Sequence, residues 1–177
     1  MALSHLGIFH TVIGVIALGA GAVSLGKFGK IDLAKRPGQW YFYGTLVTSF
    51  TALGLSRHGG FNAGHVFSLL IVILVVTAYF LYAKRKGTNR ARYAENFLLS
   101  FSLLLSLVPT VNETLTRIPV AHPLAHDATD PLIAKTLGVF LLLFIAGSIL
   151  QFRRQMKINK GERMLRSVAD PAKSGMT

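Results

Sequence analysis

The chain has 177 residues, of which 51% are hydrophobic and only 15% are charged, and its mean hydropathy is +0.49. Soluble domains usually carry about 25% charged residues, so this composition is typical of an integral membrane protein. The net charge of +12 lies in blocks beside apolar runs and therefore does not indicate a nucleic-acid partner, while the lack of cysteine excludes disulfides, thiol catalysis and cysteine-ligated metals.

Five apolar runs follow in chain order, and we predict that each forms a transmembrane helix. They cover residues 6–25, 40–55, 63–83, 93–115 and 132–152. The first is interpreted as a retained span and not as a signal peptide, because Met1 to Phe9 contain no Lys or Arg. The fifth follows Asp130-Pro131, a good helix start because Asp caps free N–H groups and Pro suits the first turn. The prediction is an all-α bundle of five transmembrane helices over residues 1–152, with a basic tail over 153–177.

The basic residues predict the orientation of these spans. Almost all of them lie in every second segment between the spans, namely the first loop, the third loop and the tail. They are Lys27, Lys30, Lys35, Arg36, Lys84, Arg85, Lys86, Arg90, Arg92, Arg153, Arg154, Lys157, Lys160, Arg163, Arg166 and Lys173. Since positive residues stay in the cytoplasm, the N-terminus is expected outside and the tail inside, as in a multi-pass protein of a bacterial inner membrane. A four-span alternative with a re-entrant second run would put the basic first and third loops on opposite sides.

This orientation places every histidine outside or near the outer membrane surface: His5, His10, His58, His65, His122 and His126. Histidine is the commonest metal ligand, so these residues form either a functional cluster or a set of polar residues tolerated in short outer loops.

Helical spacing draws attention to His10 and His65. His10 lies on a stripe of small residues in the first span, formed by Gly7, Gly14, Ala17, Gly21 and Ser24, which is typical of close helix packing in lipid. His65 begins a comparable stripe in the third span. Both are expected to point inward at similar depth, where they either ligate one haem b axially or hydrogen-bond neighbouring helices. Lys135, one turn inside the fifth span, either binds a haem propionate, pairs with Glu113 or extends to the headgroups.

A second candidate site is His122-Pro-Leu-Ala-His126. If this segment is helical, the two imidazoles share one face and can hold a transition-metal ion together with Asp127, Asp130 or Glu113 as a carboxylate ligand. The alternative is a solvated loop, because Pro123 permits a helix only in its first turn.

The stretch from His10 to Tyr82 resembles a family of bacterial multi-pass membrane proteins known as a domain of unknown function. The resemblance rests on His10-x3-Gly14-x2-Ala17-x-Gly19, Leu25, a Lys/Arg loop, Pro37-Gly38 leading into Tyr41 and Thr45, and a third span that ends at Tyr79 to Tyr82. It implies a fold class and no activity. That family has a histidine near the start of its second span, where this chain has Arg36-Pro37-Gly38-Gln39.

No complete enzyme motif is present, so catalysis is neither predicted nor excluded. The leading hypothesis is a small inner-membrane protein that binds haem b or a metal ion at a histidine-rich outer face for electron transfer. The alternative is a non-catalytic accessory or assembly subunit of a larger membrane complex, which contacts other subunits through the Gly7, Gly14 and Gly21 face as well as the lipid bilayer.

Overall fold

The computed structural model describes residues 5–55, 60–84, 88–119 and 121–169, and the regular structure in these ranges is entirely helical. The five helices are α1 (His5–Phe28), α2 (Arg36–Leu53), α3 (Ala63–Lys84), α4 (Asn89–Leu115) and α5 (Pro131–Ala169). The predicted all-helical class is confirmed. Within the described ranges, α1, α3, α4 and α5 are long and apolar enough to cross a membrane, while the shorter α2 is more polar.

Three helix ends differ from the apolar runs. Helix α2 begins at Arg36, because Pro37 fits the first helical turn, where no backbone donor is needed. Helix α4 begins at Asn89 and includes two arginines. Helix α5 continues 17 residues past Phe152, so most of the segment expected as a tail is helix. Hydropathy reports where lipid can contact a helix, whereas a helix continues until its backbone bonding is interrupted.

The helices pack in chain order, each against the next, and α1 also contacts α4. Neighbours run antiparallel. His10 on α1 contacts Thr51 on α2, and Phe42 on α2 stacks on Tyr79 of α3 with ring centroids 5.0 Å apart. Among the described helices, α5 packs along α4, and its Arg154 Nη1 also donates to the carbonyl of Phe28 at 2.6 Å.

We name the two ends of the bundle by their residues. The histidine end holds His10, His65 and the segment 121–130. The basic end holds Phe28, Arg36, Lys84, Asn89 and Arg154.

The small residues of α1 pack against α2. A Cβ added at Gly21 would lie 2.8 Å from Tyr41 Cδ2, and one at Gly44 would lie 2.8 Å from Ala17 Cβ, so the two backbones approach closely. The buried Ser24 hydroxyl donates to the Lys30 carbonyl at 3.1 Å and shapes the connection between the helices. The predicted packing stripe is therefore used within the chain.

The core lies between α2, α3 and α4. Tyr41, Val75, Ala78 and Leu99 are fully buried there, together with Ile31 from the α1–α2 connection. A smaller cluster at the histidine end holds the segment 121–130 against α4 and α5, through Val111, Ala125 and Ile133.

Candidate histidine site

His10 and His65 both hydrogen-bond to the last turn of α2. His10 Nδ1 lies 3.0 Å from Thr51 Oγ1, and His65 Nε2 lies 3.1 Å from the Leu53 carbonyl oxygen. The two imidazoles therefore occupy the same level of the bundle.

Both ring nitrogens of His65 are engaged. The backbone N–H of Asn62 donates to Nδ1 at 3.1 Å, so the ring hydrogen is on Nε2 and is donated to Leu53. The side chain is only 7% exposed, and the ring of Phe61 stacks on it at 5.4 Å. Asn62 Oδ1 in turn accepts from the His65 backbone N–H at 3.3 Å. His65 thus joins the end of α2 to the start of α3.

His10 is half-buried and has a different hydrogen-bond pattern. The Thr51 hydroxyl already donates to the carbonyls of Val47 and Thr48 at 3.0 and 2.9 Å, so its oxygen accepts from His10 Nδ1–H. The neutral ring then has its lone pair on Nε2.

The two histidines bond to different atoms of the last turn of α2. His10 contacts a side-chain hydroxyl there, whereas His65 contacts a backbone carbonyl. Helix α2 stands between α1 and α3, which do not contact each other over the described residues. A macrocycle between the rings would occupy the place of the last turn of α2.

The segment of His122 and His126 is not helical, so the two imidazoles do not share a helix face. Both residues are exposed, and the helical form of this candidate metal site is wrong. Pro123 explains the outcome, because it has no N–H for a helix interior. Across the described ranges, no three His, Asp or Glu side chains are grouped closely enough for a metal ion.

The nearby carboxylates are used in local turns. Asp127 accepts from the hydroxyl and the backbone N–H of Thr129, at 2.6 and 2.7 Å, and these bonds lower its pKa. Asp130 accepts from the backbone N–H groups of Leu132 and His126, at 2.9 and 3.1 Å, which lowers its pKa as well. The bond to Leu132 confirms the predicted cap of α5.

Lys135 and Glu113 are not paired with each other. Glu113, in the last turn of α4, forms an ion pair with Arg117, which follows the end of that helix. Lys135 is exposed on the first turns of α5. His5 is exposed near the start of α1, and His58 lies outside the described residues.

A polar seam between α4 and α5 was missed by the sequence analysis. Its contacts are Arg92 Nη1 to Glu162 Oε1 at 2.8 Å, Asn96 Nδ2 to Gln155 Oε1 at 3.4 Å, Gln155 Nε2 to Asn159 Oδ1 at 2.8 Å, and Ser100 Oγ to Gln151 Oε1 at 3.1 Å. The signal was present in the sequence as two series of polar residues spaced four apart, 92-96-100 and 151-155-159. Each series places its polar side chains on one helix face.

The length and composition of four helices indicate a membrane protein with a helical bundle fold. Comparisons with protein-family models, curated proteins and solved structures found no match to this chain.

Proposed function

We propose that all five helices cross the membrane, with the histidine end outside and the basic end in the cytoplasm of a bacterial inner membrane. Helix α2 has 18 residues, which span about 27 Å. It runs alongside α1 from Tyr41, which lies against Gly21, to Thr51, which bonds to His10. Its threonine and serine side chains are buried or half-buried, which supports a span whose hydroxyl groups are shielded from lipid. The contacts of Arg154 with Phe28 and of Arg92 with Glu162 bring three basic segments to one end, as the positive-inside rule requires.

Single-cysteine labelling tests this topology, because the native chain has no cysteine. A membrane-impermeant maleimide applied to intact cells should label Phe61→Cys and Leu124→Cys. Lys35→Cys and Met164→Cys should react only after permeabilisation. If Lys35→Cys and Phe61→Cys react from the same side, α2 does not span and the proposal is wrong.

We further propose that the chain is a non-catalytic accessory subunit of a larger membrane complex. The observation that carries this proposal is the exposure of α5, which among the described helices packs only along α4. Its bare face includes Leu142, Leu143 and Leu150 within the apolar run. Beyond Phe152, Met164 and Leu165 are 69% and 73% exposed on a basic helix. Exposed apolar side chains outside the lipid favour a protein contact.

The experiment is purification in mild detergent followed by native mass measurement. We expect a stable hetero-complex from the wild type. The double variant Met164→Glu with Leu165→Glu should lose the partner, whereas Leu124→Glu, a 61% exposed position at the histidine end, should retain it. A wild-type protein that purifies only as a monomer would contradict the proposal.

The second candidate is electron transfer through haem b or a transition-metal ion at the histidine end. It is favoured by one observation, the lone pair of His10 Nε2. It requires either a single protein ligand or a rearrangement of the His65 contacts. A reduced-minus-oxidised spectrum and metal analysis of the purified protein decide it: a haem signal that is lost in His10→Ala supports this candidate, and a colourless, metal-free protein excludes it.

A further inference from the structure

A groove of about 290 Å³ opens between α4 and α5 near the basic end. Its walls carry three aromatic rings and three polar side chains: Tyr93, Phe97, Phe152, Asn96, Ser148 and Gln151. The Tyr93 and Phe152 rings contact each other with centroids 4.8 Å apart. This volume is far larger than the ~30 Å³ that one water occupies in the liquid.

Two oxygen atoms of the groove residues have no hydrogen-bond partner among the residues that the structure describes. Asn96 is 6% exposed, and its Oδ1 is buried with no hydrogen-bond partner; the same holds for Ser148 Oγ. Gln151 differs, because its Nε2 donates to Ser100 Oγ at 3.0 Å. Buried polar groups are normally hydrogen-bonded, and an acceptor without a donor is costly.

The seam fixes which atom of Asn96 lacks a partner. Arg92 can only donate, and its Nη1 lies 3.5 Å from Asn159 Oδ1, so the oxygen of Asn159 faces it. Gln155 Nε2 donates to the same oxygen, and Gln155 Oε1 then accepts from Asn96 Nδ2. The remaining atom, Asn96 Oδ1, is an acceptor. A ligand that satisfies it must donate a hydrogen bond and must displace the side chains that cover this buried atom.

The position of the groove indicates the other part of the ligand. Phe152 is the last apolar residue before Arg153 and Arg154, so under the topology proposed above the groove lies at the cytoplasmic edge of the bilayer. Rings at such an edge contact both acyl chains and headgroups. A lipid can place its chain on the rings and its head group at the level of Asn96.

We propose that this groove binds a membrane lipid whose head group donates a hydrogen bond to Asn96 Oδ1. The two head-group chemistries that meet this requirement are a primary ammonium, as in phosphatidylethanolamine, and a glycerol hydroxyl, as in phosphatidylglycerol. Phosphatidylcholine does not, because its nitrogen is fully methylated.

The test compares these lipids with identical acyl chains on the delipidated, full-length protein by native mass spectrometry. We expect at least one donating lipid to bind about fivefold more tightly than phosphatidylcholine, the effect of one hydrogen bond. Preference for phosphatidylethanolamine alone assigns the ammonium. Preference for phosphatidylglycerol assigns the hydroxyl only if Asn96→Leu removes it, because the basic end also attracts an anionic head group. Equal binding of all three lipids overturns the proposal, whatever the topology.

Variants locate the effect. In Asn96→Leu, the ratio of the affinity for the preferred donating lipid to the affinity for phosphatidylcholine should fall close to one. Asn112→Leu is the matched control, because Asn112 also has a buried, unpartnered Oδ1 on α4 but does not line the groove; it should keep the wild-type ratio. If Asn96→Leu does not fold, Ser148→Ala provides a milder change in the same wall and should reduce the ratio. A preference unchanged in the folded groove variants contradicts the assignment.

Discussion

The hydroxyl of Tyr41 on α2 donates a hydrogen bond to Ser102 Oγ on α4, across 2.7 Å and 61 positions of sequence. The direction follows from Ser102, whose own hydrogen is donated to the Leu99 carbonyl at 2.8 Å. Tyr41 is fully buried, and its ring lies against the backbone of α1 at Gly21. One side chain thus fixes the spacing of three helices.

The first prediction concerns Gly21. Gly21→Ala should lower the free energy of unfolding by about 1–3 kcal/mol, because the added methyl group overlaps a ring that Ser102 holds in place. Gly19→Ala is the control: its Cβ would meet nothing within 4 Å, so the greater helix propensity of Ala should leave stability unchanged or raise it by up to about 1 kcal/mol. Unfolding in mixed detergent micelles measures both. Equal effects at the two positions would show that α1 and α2 are not in close contact.

The second prediction separates the two inward histidines. His65→Ala removes the buried partner of the Leu53 carbonyl and should cost about 1–3 kcal/mol of unfolding free energy. His10→Ala should cost less, about 1 kcal/mol, because Thr51 retains its bonds to the α2 backbone. The same unfolding assay compares them. A larger loss for His10→Ala would assign His10 a role beyond its bond to Thr51.

The third prediction is a pH dependence at the start of α5. The cap bonds hold the Asp130 pKa below its ordinary value of 3.8, so the carboxylate stabilises the folded state above that pH. This contribution should disappear as the pH falls through the folded-state pKa, below about 3.8. Thermal unfolding of the wild type and of Asp130→Asn, measured from pH 7 to pH 3, should converge at the acidic end. If the difference between them grows on acidification, the cap assignment is wrong.

The fourth prediction concerns the ion pair of Arg92 with Glu162. The side chains are 27% and 38% exposed, and both Glu162 oxygens approach the same nitrogen of Arg92, without a forked arrangement. Solvent screening should limit the coupling to about 0.2–1 kcal/mol. A double-mutant cycle with Arg92→Ala and Glu162→Ala measures it, and the coupling should fall in high salt. A salt-independent coupling would show that the pair is shielded from solvent.

Sequence reasoning was most successful where one helix explains a pattern by itself. The small residues at Gly14, Ala17 and Gly21 form the expected packing face, and Asp130 caps α5 as its position before Pro131 predicts. Both features depend on spacing within one segment. The reasoning was less successful at helix ends, since charged residues such as Arg92 and Arg154 can continue a helix past the apolar part. At His122 and His126 the sequence left a helix and a solvated loop open, and the structure shows the loop that Pro123 favours.

The sequence by itself determined the helical class, the apolar segments and the faces on which His10 and His65 lie, because hydropathy and the 3.6-residue period are properties of a segment. Only the tertiary structure decided what those faces meet. It joined both imidazoles to the last turn of α2, which lies between the helices that carry them. It also paired the side-chain amide of Asn96 on α4 with that of Gln155 on α5. Helical phase gives the direction of a side chain, but the atom that it contacts depends on which helix is its neighbour and how far along that helix the contact falls.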